Sequence, residues 1–186
     1  MRFNQHSHLA GTHATLSASN NAWTNYDLEK LEVTYRAKLA AQRGTELHEF
    51  AAQCIRLRQK LEDTNQTLNR YVNDAIGFLM WPEQVLYYSI DAYSTADAIT
   101  DRDDFLRIHD LKTGLLEASV RQLEVNAAHY CLEYDKNPFD LKGMEFRIYQ
   151  NDDIKVFEGD PHTITQIMDT TKVFSKHIEQ LRAEVE

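Results

Sequence analysis

The stretch STADAITDRDDFLRIHDLKTG, residues 94–114, decides the fold. Its two halves alternate polar and apolar residues around an acidic turn at Asp101–Asp104, which is the pattern of a β-hairpin. A turn centred between Asp103 and Asp104 sets Asp97 opposite Asp110, Ala98 opposite His109 and Ile99 opposite Ile108. The period of two then places Asp97, Ile99, Ile108, Asp110 and Lys112 on one face. Two opposed carboxylates repel each other, and a divalent cation between them removes the conflict. Carboxylate oxygens suit Mg²⁺ or Mn²⁺. Lys112 follows Asp110 by two residues and points to the same side. The alternative for each aspartate alone is a solvated strand end.

Outward from this hairpin, the period changes on both sides. Upstream, QVLYYSI at 84–90 is rich in strand formers. Before it, residues 68–80 suit a helix ending at Trp81-Pro82. Leu28, Leu31, Tyr35 and Leu39 recur at helical spacing over 26–42. Gly44 is expected to interrupt that helix, and GTELHEFAAQCIRLRQKL resumes one to about residue 61. Ser17 or Ser19 of LSAS is a candidate cap. Downstream, residues 115–134 suit a helix, and MEFRIYQN and DIKVFEG alternate as two strands. Asp160-Pro161 opens a last helix over 161–186. This order predicts a single α/β domain over 16–186 with a central mixed sheet flanked by helices. Residues 1–15, with His6, His8 and His13, read as a flexible N-terminus.

The 186 residues carry a net charge of −9, which argues against non-specific nucleic-acid binding. The charge is uneven, however. Between Arg36 and Lys60 six basic residues (Arg36, Lys38, Arg43, Arg56, Arg58, Lys60) meet two acids, so the window is +4 and the remainder −13. Such a window is a basic wall or a solvated helix face. Two cysteines, Cys54 and Cys131, exclude a disulfide framework and an all-cysteine metal or iron–sulfur site. Without a long apolar run or a secretory leader, the expectation is a cytoplasmic protein with no membrane span.

An Asp–x–Lys pair with a second Asp on the neighbouring strand resembles the core of the PD-(D/E)XK nucleases. GTELH at 44–48 is similar to the G-x-x-x-H helix motif of the RecB-type and phage-lambda-like exonucleases, and DLKTG at 110–114 to their strand-to-helix turn. LSAS at 16–19 resembles their opening serine motif, and Gln122 the glutamine of Q-x-x-x-Y, whose tyrosine is Asn126 here. Small phage-encoded exonuclease-like proteins share the GTxLHEFAA and TADAI…IHDLKTG phrasing. The resemblance spans about residues 16–150 and implies a restriction-endonuclease-like fold. It implies a Mg²⁺- or Mn²⁺-dependent deoxyribonuclease of phage recombination or DNA processing, exonuclease favoured, with no iron–sulfur cluster.

On that resemblance His48, Asp97, Asp110 and the Leu111 carbonyl are the metal ligands. Asp97, Asp110, Lys112 and Gln122 form the catalytic set. Arg36, Arg43, Arg56, Arg58, Lys60 and Asn126 are candidate DNA contacts, with Arg56, Arg58 and Lys60 spaced along the His48 helix. The substrate implied is DNA, preferably linear or with free ends. A ring-like homo-oligomer, a phage single-strand annealing or binding protein as partner, and the host-cell cytoplasm as location also follow from the resemblance. Glu83 precedes the first strand, where relatives sometimes have an accessory acid; the alternative is a solvated glutamate. His109 faces away from the acids, and Tyr87, Tyr88 and Tyr93 suit sheet packing. The rival function is a catalytically silent nuclease fold that binds a protein partner or mimics DNA.

Overall fold

The computed structural model describes residues 4–9, 11–114 and 116–184. Among the described residues four α-helices, α1 (Leu28–Arg56), α2 (Thr67–Gly77), α3 (Arg121–Glu133) and α4 (Pro161–Ala183), accompany five strands. These are β1 (Trp81–Ser89), β2 (Ala92–Arg102), β3 (Phe105–Leu111), β4 (Gly143–Gln150) and β5 (Asp153–Glu158). They form one five-stranded sheet in the order β1-β2-β3-β4-β5. Neighbours are antiparallel except β3 and β4, which run parallel and are joined through α3. A parallel pair needs such a crossover. The α/β class with a mixed sheet is therefore as expected.

The β2–β3 register is the one read from the sequence: Ala98 pairs with His109 and Ile99 with Ile108. The two-residue connection works because Asp103 and Asp104 both adopt positive φ, 57° and 62°. That is the conformation of a type I′ turn, whose twist matches the strands it joins. Asn151 and Asp152, at φ 52° and 57°, make the same connection between β4 and β5.

The sheet separates two cores. Ile99, Leu106, Ile108, Phe146 and Ile148 pack with Leu123, Ala127 and Cys131 of α3 and Ile164 of α4. Ala98, Leu111 and Tyr149 pack with Ala51, Cys54 and Ile55 of α1 and Tyr71, Val72 and Ala75 of α2. Burying both faces with helices is the standard solution for a sheet containing a parallel pair. Asp160 caps α4 by accepting from the N–H groups of His162 and Thr163. Both cysteines are free and buried. Among the described residues no helix is long and apolar enough to cross a membrane.

Three expectations about elements are corrected. Gly44 does not interrupt the first helix: α1 passes through it and is continuous from Leu28 to Arg56. The helix ends at Arg56 and not near residue 61, because Arg58 adopts φ 55°, outside helical geometry. The crossover helix is shorter than read from the sequence, starting at Arg121; Leu115 lies outside the described residues. The chain also divides into two compact units, 1–43 and 44–186, with the boundary within α1. In the first unit, Asp27 accepts from the Lys30 N–H at 2.7 Å and so caps α1. Ser17 instead takes the N–H of Asn20, ahead of a short 3₁₀ turn over Asn21–Asn25.

Candidate metal centre

Three adjacent strands bring three carboxylates to one level. Glu83 falls between the pairs Pro82–Ala98 and Gln84–Ala96, which sets it opposite Asp97 across β1 and β2. Continuing the β2–β3 register by one step from Ala98–His109 sets Asp97 opposite Asp110. Glu83 has φ 50°, and the ladder skips it, so the strand is locally distorted where it presents this acid.

Helix α1 supplies the imidazole. His48 Nδ1 stands 3.4 Å from Asp97 Oδ2. Ligand atoms of His48, Glu83 and Asp97 all lie within 4.8 Å of one another. Asp97 Oδ2 also accepts the Leu111 N–H at 2.9 Å. Burial, then the neighbouring Asp97, raises the Glu83 pKa, with His48 and Arg56 opposing. One carboxylate beside another in a half-dry site binds its proton more tightly.

Asp110 stands beside this trio and not within it. It is only 2% exposed. Lys112 Nζ donates to its Oδ1 at 3.0 Å and to Gln122 Oε1 at 2.8 Å. The ammonium is also 3.0 Å from Oδ2, but that oxygen is buried with no hydrogen bond of its own. Burial, then Asp97, pushes the Asp110 carboxyl up to about 6 against the pull of Lys112 and His48. A buried acceptor without a donor is costly.

The two sequence motifs meet physically. A Cβ placed on Gly44 would come within 2.8 Å of Thr113 Oγ1. Gly44, the first residue of GTELH, is therefore what lets α1 approach DLKTG closely enough to aim His48 at Asp97. This contact also explains why a helix-weakening residue is retained inside α1.

His48, Asp97, Asp110, Lys112 and Gln122 thus come together as expected, and Glu83 joins them. The signal for Glu83 was present in the sequence: extending the β2 register across β1 would have set it beside Asp97, but the Pro82 next to it obscured where β1 begins. The nucleic-acid contacts fare differently. Asn126 is 3% exposed and packed inside α3's buried face, out of reach of a strand, which corrects its assignment. Arg56 is exposed at the end of α1 and acts electrostatically on Glu83. Arg58 and Lys60 are exposed but lie past the helix end, so they do not continue a basic stripe along its axis. Arg36 and Arg43 belong to the first unit, where Arg36 is ion-paired with Glu32 at 2.5 Å. His109 is fully buried.

No protein-family model, curated protein or solved structure matches this chain.

Proposed function

We propose that this chain is a metal-dependent nuclease of PD-(D/E)XK type that hydrolyses phosphodiester bonds in DNA. The observation that carries the reading is the convergence of His48, Glu83 and Asp97 within 4.8 Å, next to the buried Asp110 carboxylate. Uncompensated, three neighbouring carboxylates are an electrostatic liability. One imidazole nitrogen and several carboxylate oxygens form a donor set that fits Mn²⁺ or Mg²⁺. His48, Glu83 and Asp97 would hold the ion, with Asp110 beside them. A divalent cation bound there lowers the pKa of a coordinated water and offsets charge developing on a phosphate.

The remaining groups do work of their own. Lys112, fixed between Asp110 and Gln122, sets a positive charge beside the acids. There it stabilises a phosphate oxyanion and orients an attacking water. Gln122 holds that ammonium in place and offers its amide to the strand. Arg56, exposed and close enough to act on Glu83, is positioned for a backbone phosphate contact.

The test is cleavage of end-labelled linear and closed circular duplex DNA in Mg²⁺ or Mn²⁺, with EDTA as control. Cation-dependent cleavage that vanishes in His48→Ala and Asp97→Asn is expected. No cleavage together with no Mn²⁺ binding by calorimetry would sink the reading and favour a silent, partner-binding fold.

A further inference from the structure

Near the acidic row, β1, β2 and the C-terminal end of α3 enclose a cavity of about 350 Å³ that the proposed chemistry does not use. This is the size range of small-molecule pockets. Trp81 and Tyr134 line it with large aromatic surfaces that are 66% and 50% exposed. Gln84, Thr100 and Asp101 supply its polar groups, and Tyr130 closes one side.

Asp101 is the informative member. Its Oδ2 accepts from the Tyr130 hydroxyl and lies 3.5 Å from Lys136 Nζ, while Oδ1 is buried with no partner. The carboxylate thus keeps acceptor capacity that the protein does not use.

We infer that this cavity seats one unstacked nucleobase of a single-stranded segment, its ring against Trp81 and Tyr134 and its N–H edge toward Asp101. Three observations select that ligand class. Exposed aromatic surfaces beside a cavity offer stacking to a flat ring, and stacking tolerates any base. The site is not a cation cage, because Lys136 pairs with both Asp101 and Asp104 and cancels the field a cation would need. Tyr130 and Tyr134 also pack on each other, with centroids 5.0 Å apart at 37°, and so do not surround a point charge. Finally, Trp81 is two residues from Glu83 along β1, and Asp101 four from Asp97 along β2. At roughly 3.3 Å per residue those steps run about 7–13 Å along the strands, and the pocket opens on the α3 side of the sheet, with Leu86, Ile99 and Tyr130. The inference rests on the nucleic-acid reading of that row.

The experiment uses the full chain carrying Trp23→Phe, which leaves Trp81 as the single tryptophan. Trp81 fluorescence is followed while adding a single strand of about eight nucleotides, in Ca²⁺ to suppress turnover. The same strand with abasic sites and tetramethylammonium serve as the other probes. Saturable quenching by the intact strand is expected, weakened roughly tenfold or more for the abasic strand and for Tyr134→Ala. Equal quenching by the abasic strand, or none by the intact one, overturns the inference; saturable quenching by tetramethylammonium replaces it with a cation site. Because the abasic comparison changes the ligand and not the protein, a misfolded variant cannot mimic the result. Base-dependent quenching without Mg²⁺-dependent cleavage would leave the pocket and remove the nuclease. Cleavage without base-dependent quenching would do the reverse.

Discussion

At the residue scale, Asp110 and Glu83 are the two acids of the site that burial and neighbouring charge push upward. In metal-free protein the Asp110 carboxyl titrates near 6 when folded against about 3.8 unfolded. The folded state therefore holds the proton more tightly. Its contribution to stability is full below about pH 4 and is lost as pH rises through 6. Asp110→Asn removes that loss. In EDTA at pH 7.5 the variant should be more stable than wild type by about 2–3 kcal/mol, read from urea unfolding, while cleavage disappears. A variant less stable than wild type would mean that the Lys112 pair outweighs the burial cost. Glu83→Gln tests the place of Glu83 in the ligand set. It should weaken Mn²⁺ binding by roughly tenfold or more, as loss of a direct ligand does at least as much as loss of an outer-shell partner. Unchanged calorimetric affinity would return Glu83 to the role of a solvated acid.

Among the elements, α1 is where sequence rules and packing disagree. Glycine inside a helix costs about 1 kcal/mol relative to alanine, so Gly44→Ala should stabilise an unencumbered helix. Here the new Cβ would meet Thr113 Oγ1 at 2.8 Å. The expected outcome is no gain, or a loss, for Gly44→Ala alone. A gain approaching 1 kcal/mol is expected when Thr113→Ala has already removed the hydroxyl. A double-mutant cycle from thermal melts measures the coupling; additive values would show that α1 does not rest on that loop. The end of α1 makes a second prediction. Because the helix stops at Arg56, Arg56→Gln should flatten the log–log salt dependence of DNA affinity by about 0.7–0.9 unit. The same change at Lys60 should have less effect. Equal slopes for the two variants, measured in Ca²⁺, would restore the continuous basic wall.

For the molecule as a whole, two buried groups with large shifts act on stability against pH in opposite senses. His109 is fully buried, and burial together with the Arg147 and Arg107 charges pushes its pKa down to about 3. Its unfolded form takes a proton near 6.5, so its contribution is complete above that pH and is lost as pH falls toward 3. Asp110 works in the other direction between about 4 and 6. Metal-free wild type should therefore be nearly flat in stability across that window and fall steeply below it. Asp110→Asn should slope upward with pH all the way from about 3 to 6.5. Denaturant midpoints at half-unit pH steps distinguish the two curves; parallel curves would place the linkage elsewhere.

What the sequence determined by itself is the hairpin and what rides on it. Alternation and the Asp103-Asp104 turn fix the β2–β3 register, because slipping it by one residue would send Ile99 and Ile108 to the wrong face. The level of Asp97 and Asp110 and the reach of Lys112 follow from that local geometry. The mixed sheet was legible for a similar reason, since a strand–helix–strand order after a hairpin supplies the crossover that a parallel pair needs. Only the tertiary structure decided the rest. Gly44 looked like a break because propensity is local, whereas its purpose is a contact with Thr113, 69 positions away in the chain. Asn126 shares a helical face with Gln122 in projection, yet α3 dips under the sheet and buries it. Glu83 enters the site, and Asp110 stands beside the trio, because distances among side chains on separate elements depend on how those elements pack, and no periodicity encodes that.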